Sequence, residues 1–547
     1  MKGYPGQRIR VPVEVPASVL VLVIPFWSFL HSHAYSPFRP DALAIAAGLA
    51  ATGAAVGWWM HRTRSALLRA VLMAALLLVA VDLTADIFGY HRLTAVLLLG
   101  ATWVLRSHVA RIASAMAIAY GAGTLGFGAQ AADTVRRMET VEGEGNPPPL
   151  LHLIADEHIG IQGIPEDTGE GAAFQRAVVR FYVERGFRLF TRAYSRYHYT
   201  LDALPNALNF AESRRKYGWI GGRSTTIPVP LTRIEYFERL VQLGFDLRIY
   251  QPDFLDLCTA RNATASFCFT MPVNSPSHLA ALNVNAWSRA RYLAAFWVAN
   301  KSSLYSRIWE LYENRLRPAL ASRQIPASRW NWNAHNLGAV GGLRLLQQIS
   351  HDVETAPVLM GTAFVGHVLL PHSPYHLDEN CMPNSEISLL GEPRWLTDQK
   401  VSAEQRRALY QAYLPQVRCW NLQLDRLLAV FESRGASDAV VIVHGDHGSR
   451  IGTIPKPHSA ITEAQMGDYY STLFAIRGPG IAPGVDTAVV SVKDLLDRFS
   501  DSGFRNVAVP SHPAPYVFLD SSKGELNPVP ARISGSRTGH PRLPPGG

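Results

Sequence analysis

The sequence predicts a bundle of membrane-spanning helices followed by an α/β domain. Five hydrophobic stretches precede residue 130, and most of the basic residues near them lie in alternate loops. Beyond a Gly- and Pro-rich segment at 141–149, short apolar runs alternate with longer helical ones, which is the pattern of an α/β sheet. At 547 residues the chain is also too long for one ordinary domain.

A helix that crosses a membrane needs about 20 mainly apolar residues. The five stretches are Ala17–Ala34, Ala42–Met60, Ala66–Phe88, Leu93–Leu105 and Ile112–Gly128. The fourth is short, and the third carries Asp82 and Asp86 near its end, where we expect them to lie at the membrane interface. We therefore expect an anchor of about five helices over 1–130.

Basic residues in short loops indicate the orientation of such an anchor. With the N-terminus inside, the inner segments hold Lys2, Arg8, Arg10, Arg62, Arg64, Arg69, Arg106 and Arg111. The outer segments hold only Arg39, Arg92, Arg136 and Arg137. This asymmetry predicts a multi-pass protein of the bacterial cytoplasmic (inner) membrane with its α/β domain on the periplasmic, extracytoplasmic side.

The net charge of +9 does not indicate nucleic-acid binding, because much of the excess lies beside the hydrophobic segments or in the C-terminal tail. The four cysteines all follow the hydrophobic region, which suggests two disulfides in an oxidising compartment. We prefer the pairs Cys258–Cys268 and Cys381–Cys419 among three connectivities; four reduced, buried thiols are the alternative.

We expect a linker over 131–149, the α/β domain over 150–520 and a disordered tail over 521–547. Within the domain, strands are predicted at Leu150–Ala155, Phe187–Ala193, Asp246–Tyr250, Val358–Leu370, Ala439–His444 and Tyr470–Ile476. Helices are predicted at Ala172–Arg185, Arg233–Leu243, Ala281–Leu316, Leu337–His351 and Ala403–Arg434.

Three predicted strands end in groups that can bind a metal or a phosphate. Asp156 and Glu157 follow the first strand, Asp446 and His447 follow V-V-I-V-H-G, and His372 follows H-V-L-L-P. Ligands of open α/β sheets collect beyond the carboxyl ends of the strands. Each motif alone also fits a helix cap or a loop, but together they predict a divalent-metal site.

Thr200 begins the segment T-L-D-A-L-P, just before a predicted helix. A threonine there is ordinarily an N-cap. A helix N-terminus also favours a phosphate, and a metal on the hydroxyl oxygen would activate it as a nucleophile. The sequence therefore makes Thr200 the candidate nucleophile.

Together these motifs resemble the sulfatase-like branch of the alkaline phosphatase superfamily. The chain looks most like lipoteichoic acid synthases and lipid A phosphoethanolamine transferases over Pro149–Pro479 and the anchor. The resemblance implies an alkaline-phosphatase-like α/β/α sandwich. It also implies one divalent metal ion (Mn, Mg or Zn), held by Asp156 or Glu157, with Glu157 slightly preferred, and by Thr200, Asp446 and His447.

His372 matches a family histidine that contacts the transferred group, and His458, in a weaker match, another phosphate-contacting one. True sulfatases mature a Cys or Ser within C/S-x-P-x-R, and Thr200 cannot undergo that reaction, so sulfate-ester hydrolysis by that route is not expected.

The resemblance implies transfer of a phospho-alcohol group, of phosphoglycerol or phosphoethanolamine type, from a membrane phospholipid donor to an envelope glycan or lipid acceptor through phospho-threonine. Two alternatives stay open: a membrane-anchored hydrolase of phosphate or, less so, sulfate esters, and a non-catalytic envelope assembly protein.

Overall fold

The computed structural model describes residues 11–84, 91–104, 108–126, 133–137, 146–166, 170–217, 219–220, 223–224, 229–311, 337–383, 401–453, 461–520 and 525–531. Two candidates from the sequence, Asp86 and His458, lie outside these residues.

The helices follow one another as α1 (Glu14–Ser32), α2 (Pro40–Arg62), α3 (Ala66–Thr84), α4 (His91–Val104), α5 (Val109–Gly126), α6 (Gly171–Glu184), α7 (Thr200–Leu208), α8 (Glu235–Gln242), α9 (Ala286–Lys301), α10 (Ser303–Leu311), α11 (Gly338–Thr355), α12 (Ala403–Ser433), α13 (Glu463–Tyr469) and α14 (Val492–Asp501).

The strands are β1 (Thr134–Arg137), β2 (Leu150–Ala155), β3 (Arg188–Phe190), β4 (Ala193–Tyr194), β5 (Trp219–Ile220), β6 (Arg223–Ser224), β7 (Val229–Pro230), β8 (Asp246–Pro252), β9 (Leu255–Asp256), β10 (Phe267–Met271), β11 (Thr362–Val368), β12 (Val440–Gly445), β13 (Phe474–Arg477), β14 (Gly484–Asp486), β15 (Val490–Ser491), β16 (Tyr516–Asp520) and β17 (Leu526–Pro530).

A central sheet has the strand order β1-β10-β8-β11-β2-β12-β13-β3-β14. At its centre β2 lies between β11 and β12 and runs parallel to both, so the carboxyl ends of these three strands share one edge. One face packs against α6, α9, α11 and α12, and the other against α7, α8 and α14. The predicted α/β/α sandwich is therefore confirmed.

Strands are found beyond two of the predicted boundaries of the α/β domain. Thr134–Arg137, placed in the linker, pairs with β10 at the edge of the sheet. Leu526–Pro530, placed in the disordered tail, forms a hairpin with β16, because Val517, Leu519 and Leu526 bury their side chains there. The first segment pairs with a strand distant in sequence, and the second with the strand just before it. The strand β10 was not predicted at all.

The N-terminal region is helical, as predicted. Of its helices, α1, α2 and α3 are long and apolar enough to cross a membrane, by length and composition. The α/β domain packs against the C-terminal end of α1 (Phe26, Phe29) and the N-terminal end of α2 (Ala42). Asp82, near the end of α3, accepts a hydrogen bond from Ser303 of the domain. These three ends are the ones that the basic residues assign to the outer side.

The described cysteines form the two preferred disulfides, Cys258–Cys268 and Cys381–Cys419. The first joins the turn after β9 to β10. The second ties the segment after β11 to α12, which lies behind the candidate site.

Candidate metal and phosphoryl-transfer site

The candidate site lies at the carboxyl edge of the sheet, where β2 and β12 end. Asp156 follows β2 directly, Asp446 and His447 follow β12, and all three are buried. Their ligand atoms lie within 4.8 Å of one another, so these residues could hold a metal ion. Residues distant in sequence meet here because the two strands are parallel neighbours in register.

Thr200 joins this cluster from the first turn of α7. Its Oγ1 lies 3.2 Å from Nε2 of His447 and 3.5 Å from Oδ2 of Asp156. The hydroxyl therefore points at the cluster, and no side chain caps α7. The alternative reading of Thr200 as an N-cap is wrong: the N-cap position belongs to Tyr199.

The protonation of His447 follows from its neighbours. Nδ1 lies 2.9 Å from the carbonyl oxygen of Gly448, which can only accept, so Nδ1 carries the proton of the neutral ring. The lone pair of Nε2 then faces Oδ2 of Asp446 at 3.2 Å. Two lone pairs at this distance repel each other unless a proton or a metal ion lies between them, so this pair of atoms can hold a metal ion.

The carboxylates of Asp446 and Asp156 each keep one oxygen without a hydrogen bond from the described residues. Oδ1 of Asp446 accepts from the backbone N–H groups of Glu157 (3.1 Å) and His447 (2.9 Å), which leaves Oδ2 free of hydrogen bonds among the described residues. Oδ2 of Asp156 accepts from Nε2 of His367 at 3.0 Å, and its Oδ1 likewise has no hydrogen-bond partner in the described part of the chain. Buried carboxylate oxygens without donors suit a cation.

Glu157 turns away from this cluster. Its φ of 61° lies in the left-handed region, and its Oε2 accepts from the backbone N–H of Ser373 at 3.0 Å. Its Oε1 lies 3.7 Å from Nε2 of His372 and 3.8 Å from Nη1 of Arg450. The preference for Glu157 over Asp156 as the metal ligand thus disagrees with the geometry, which brings Asp156 to the cluster.

His372 and Arg450 lie opposite Glu157 at the mouth of the site. Burial alone would lower the pKa of His372, but the carboxylates of Glu157 and Asp156 outweigh it and raise the pKa above its ordinary value. Burial would likewise raise the pKa of Asp156, but His372 and His367 hold it below its usual range. An imidazole whose pKa is raised, so that it is protonated more readily, suits a site for an anionic substrate.

Two residues at the site were not predicted. His367 holds Asp156 in place; its signal in the sequence was a titratable residue inside an otherwise apolar strand, T-A-F-V-G-H-V. Arg450, two residues after G-D-H-G, has its guanidinium 4.7 Å from the ring centre of Tyr199, the neighbour of Thr200. Its Nε is buried and makes no hydrogen bond within the described residues.

The glycine of the D-H-G motif is needed for packing. A Cβ on Gly448 would lie 2.5 Å from the backbone oxygen of Asp468. Any larger residue would therefore displace the turn that carries Asp446 and His447.

No protein-family model matches the sequence, and no curated protein matches it. Among solved structures, the phosphonate monoester hydrolase of Agrobacterium radiobacter is 13% identical, with a TM-score of 0.40, over 68% of this chain and 80% of that one. The C-terminal periplasmic domain of EcEptC from Escherichia coli, in complex with Zn, is 13% identical, with a TM-score of 0.37, over 73% and 95%.

A 2-O GAG sulfatase is also 13% identical, with a TM-score of 0.37, over 69% of this chain and 78% of that one. Likenesses at this level say nothing about activity, so we derive the chemistry from the residues of this chain alone.

Proposed function

We propose that this protein is a membrane-anchored, metal-dependent phosphotransferase. It moves a phospho-alcohol group, of phosphoglycerol or phosphoethanolamine type, from a phospholipid to an envelope glycan or lipid. The observation that carries the proposal is the contact of Thr200 Oγ1 with Nε2 of His447, beside two buried carboxylates that each keep one oxygen without a donor among the described residues. A nucleophile directed at a cation site is the arrangement that phosphoryl transfer requires.

Asp156, Asp446, His447 and Thr200 would hold one divalent ion, and this mixed oxygen and nitrogen set suits Mn²⁺, Mg²⁺ or Zn²⁺. Such an ion, when bound, lowers the pKa of the Thr200 hydroxyl and neutralises charge on the transferred group. Glu157 has a different role in this proposal, since it fixes His372 and Arg450 at the mouth of the site.

In the first step Thr200 Oγ1 attacks the donor phosphorus. The new P–Oγ1 bond forms as the P–O bond to the donor alcohol breaks, and the Thr200 proton leaves through Asp156 Oδ2, 3.5 Å away. The leaving alkoxide takes a proton from the His372 imidazolium. In the second step the acceptor hydroxyl returns a proton to His372, attacks phosphorus and releases Thr200, which regains its own proton.

Arg450 would bind a non-bridging phosphoryl oxygen. Its guanidinium lies beside Tyr199, and its buried Nε is directed at no protein acceptor among the described residues. A pre-positioned cation that meets charge developing in the transition state contributes strongly to catalysis. We therefore expect Arg450 to act with His372.

The membrane anchor supports a lipid donor. We propose that the protein is a multi-pass inner-membrane protein with its catalytic domain outside the cytoplasm, where ATP is scarce and phospholipid is at hand. Two points support this orientation: the basic-residue asymmetry, and the packing of the catalytic domain against the ends of α1, α2 and α3 that this asymmetry assigns to the outside.

The test uses the full chain in lipid nanodiscs with labelled phosphatidylglycerol or phosphatidylethanolamine. We expect diacylglycerol release by the wild type, none by Thr200→Ala, and unchanged release by Thr355→Ala, whose hydroxyl bonds to a carbonyl of its own exposed helical turn. A mass increase on the Thr200 peptide would identify the intermediate. Full activity of Thr200→Ala would refute the nucleophile assignment.

The acceptor separates the transferase from a hydrolase on the same site. Addition of candidate glycans should speed diacylglycerol release and place the label on the glycan. Free headgroup phosphate formed at the same rate with or without glycan would favour hydrolysis, and the absence of any turnover or bound metal would favour a non-catalytic role.

A further inference from the structure

Helix α9 packs between the anchor and the rest of the catalytic domain. On the anchor side, Trp297 has its ring centre 4.9 Å from that of Phe26, and Phe296 lies 6.2 Å from Phe29. On the other side, Arg289 donates hydrogen bonds of 3.1 Å to three backbone carbonyls of the turn at 279–284, which packs against α11. Both neighbours are therefore bound to one helix.

Asp82 connects the anchor to the next helix. This buried acid, near the end of α3, accepts hydrogen bonds from the hydroxyls of Ser302 and Ser303 and from the backbone N–H of Leu304. It thereby caps α10, and this cap explains why the predicted helix Ala281–Leu316 is broken at Ser302. An acid in a helix that can cross a membrane is costly unless it is paired, and these three donors all belong to the catalytic domain.

Helix α10 has two solvent-exposed apolar side chains on one of its sides. Ile308 is 59% exposed and Leu311 50% exposed, and their spacing of three residues places them on one side of the helix. The helix contacts α3 at the end that holds Asp82, and Val79, three residues before Asp82 on α3, is also exposed. Exposed apolar residues next to a membrane span fit lipid better than water.

We propose that α9 and α10 (Ala286–Leu311, the adaptor) hold the catalytic domain on the membrane surface. In this proposal Ile308 and Leu311 enter the lipid, and Asp82 latches the adaptor to α3. This inference rests on the proposed function and extends it. The adaptor would favour a donor that resides in the bilayer over a soluble ester of the same chemistry. Its partner is the lipid bilayer.

The first experiment measures contact with lipid and needs no turnover. The described cysteines are all disulfide-bonded, so Ile308→Cys provides a single reactive thiol for a fluorophore. In nanodiscs that contain spin-labelled lipid, we expect quenching at 308 to be at least threefold stronger than at Val485→Cys. Val485 is the matched control, an exposed apolar residue on β14 at the opposite edge of the sheet from β1. Equal quenching at both positions would overturn the proposal.

The second experiment tests whether the hydrogen bonds between Asp82 and the adaptor affect turnover of phospholipid without affecting the chemical step itself. Asp82→Ala and Ser303→Ala, which remove the acceptor and one of its donors, should each lower kcat/KM for phospholipid about tenfold, mainly through KM. Both should leave cleavage of a soluble phosphodiester, bis-p-nitrophenyl phosphate, unchanged. Thr52→Ala is the control, because this exposed hydroxyl bonds to a carbonyl of its own helix, α2.

The outcomes are distinct. An equal loss on both substrates would show that Asp82 serves folding alone, and no loss on phospholipid would show that the latch does not matter; either result overturns the proposal. If Asp82→Ala does not fold, Ser303→Ala decides the same question from the catalytic-domain side. Failure of the proposed function looks different, because the wild type would then be inactive on both substrates while the quenching result still stands.

Discussion

The side chain of Gln416 on α12 makes four hydrogen bonds to the loop that carries His372. The amide of this buried residue accepts from the backbone N–H groups of His376 (2.9 Å) and Leu377 (3.2 Å). It donates to the carbonyls of Pro371 (3.0 Å) and His372 (2.8 Å). With donors on one side and acceptors on the other, only one orientation of the amide satisfies all four groups.

Gln416→Ala should therefore loosen this loop. The substitution leaves four backbone groups without their partner, and each buried group that stays unsatisfied costs roughly 1–3 kcal/mol. Water will enter part of the space, so we expect the free energy of unfolding to fall by about 3–5 kcal/mol. Because His372 is then no longer held, kcat should fall at least tenfold.

Chemical denaturation measures the first effect, and diacylglycerol release under saturating phospholipid measures the second. Metal content should stay at the wild-type level, since the four bonds of Gln416 go to the loop and not to Asp156, Asp446 or His447. Gln411→Ala is the control, a glutamine on the exposed face of the same helix. Wild-type stability and kcat in Gln416→Ala would refute the reasoning, and so would an equal loss in Gln411→Ala.

Three further predictions concern the metal, pH and the second disulfide. Asp446→Asn should lower metal content at least tenfold, and chelation of the wild type should abolish turnover that Mn²⁺, Mg²⁺ or Zn²⁺ restores; metal-independent turnover would contradict the site. Burial lowers the pKa of His278 from 6.5 to about 4, so its neutral form stabilises the fold above pH 6.5 by about 3 kcal/mol, an effect lost as the pH falls towards 4. His278→Gln, which keeps a donor for the Pro272 carbonyl, should lose less stability than the wild type between pH 7 and 4.5 in denaturant titrations, and an identical pH profile would disprove this. Replacing both Cys381 and Cys419 by Ser opens a loop of 38 residues and should cost about 4 kcal/mol of unfolding free energy, while metal binding by the folded fraction stays normal.

The sequence by itself determined the class of the fold and most of the candidate site. Buried parallel strands appear as short apolar runs, so the strand at Leu150–Ala155 was predicted to the residue. Side chains that follow such strands must meet at one edge of the sheet, which is why the order of the chain alone groups Asp156, Asp446 and His447. The preferred pairing of the cysteines, one of three connectivities that the sequence allowed, is also confirmed.

Only the tertiary structure shows that Asp156, and not its neighbour Glu157, lies in the cluster with Asp446 and His447. Adjacent residues after a strand point in directions set by the local backbone, and the left-handed φ of Glu157 is held by contacts with Ser373 and Asp446, which are distant in sequence. No local pattern encodes such contacts. The roles of His367 and Arg450 depend in the same way on partners brought together by folding.

The anchor shows the same division. Hydropathy and basic residues predicted its helices and its orientation, because the bilayer acts on each segment separately. For Asp82 they predicted only a position at the membrane interface. That acid pairs with Ser302 and Ser303, 220 and 221 residues away, and thereby breaks a helix that the local sequence would continue. Pairing of a buried charge is decided by the three-dimensional neighbourhood, which a periodic pattern of apolar residues does not contain.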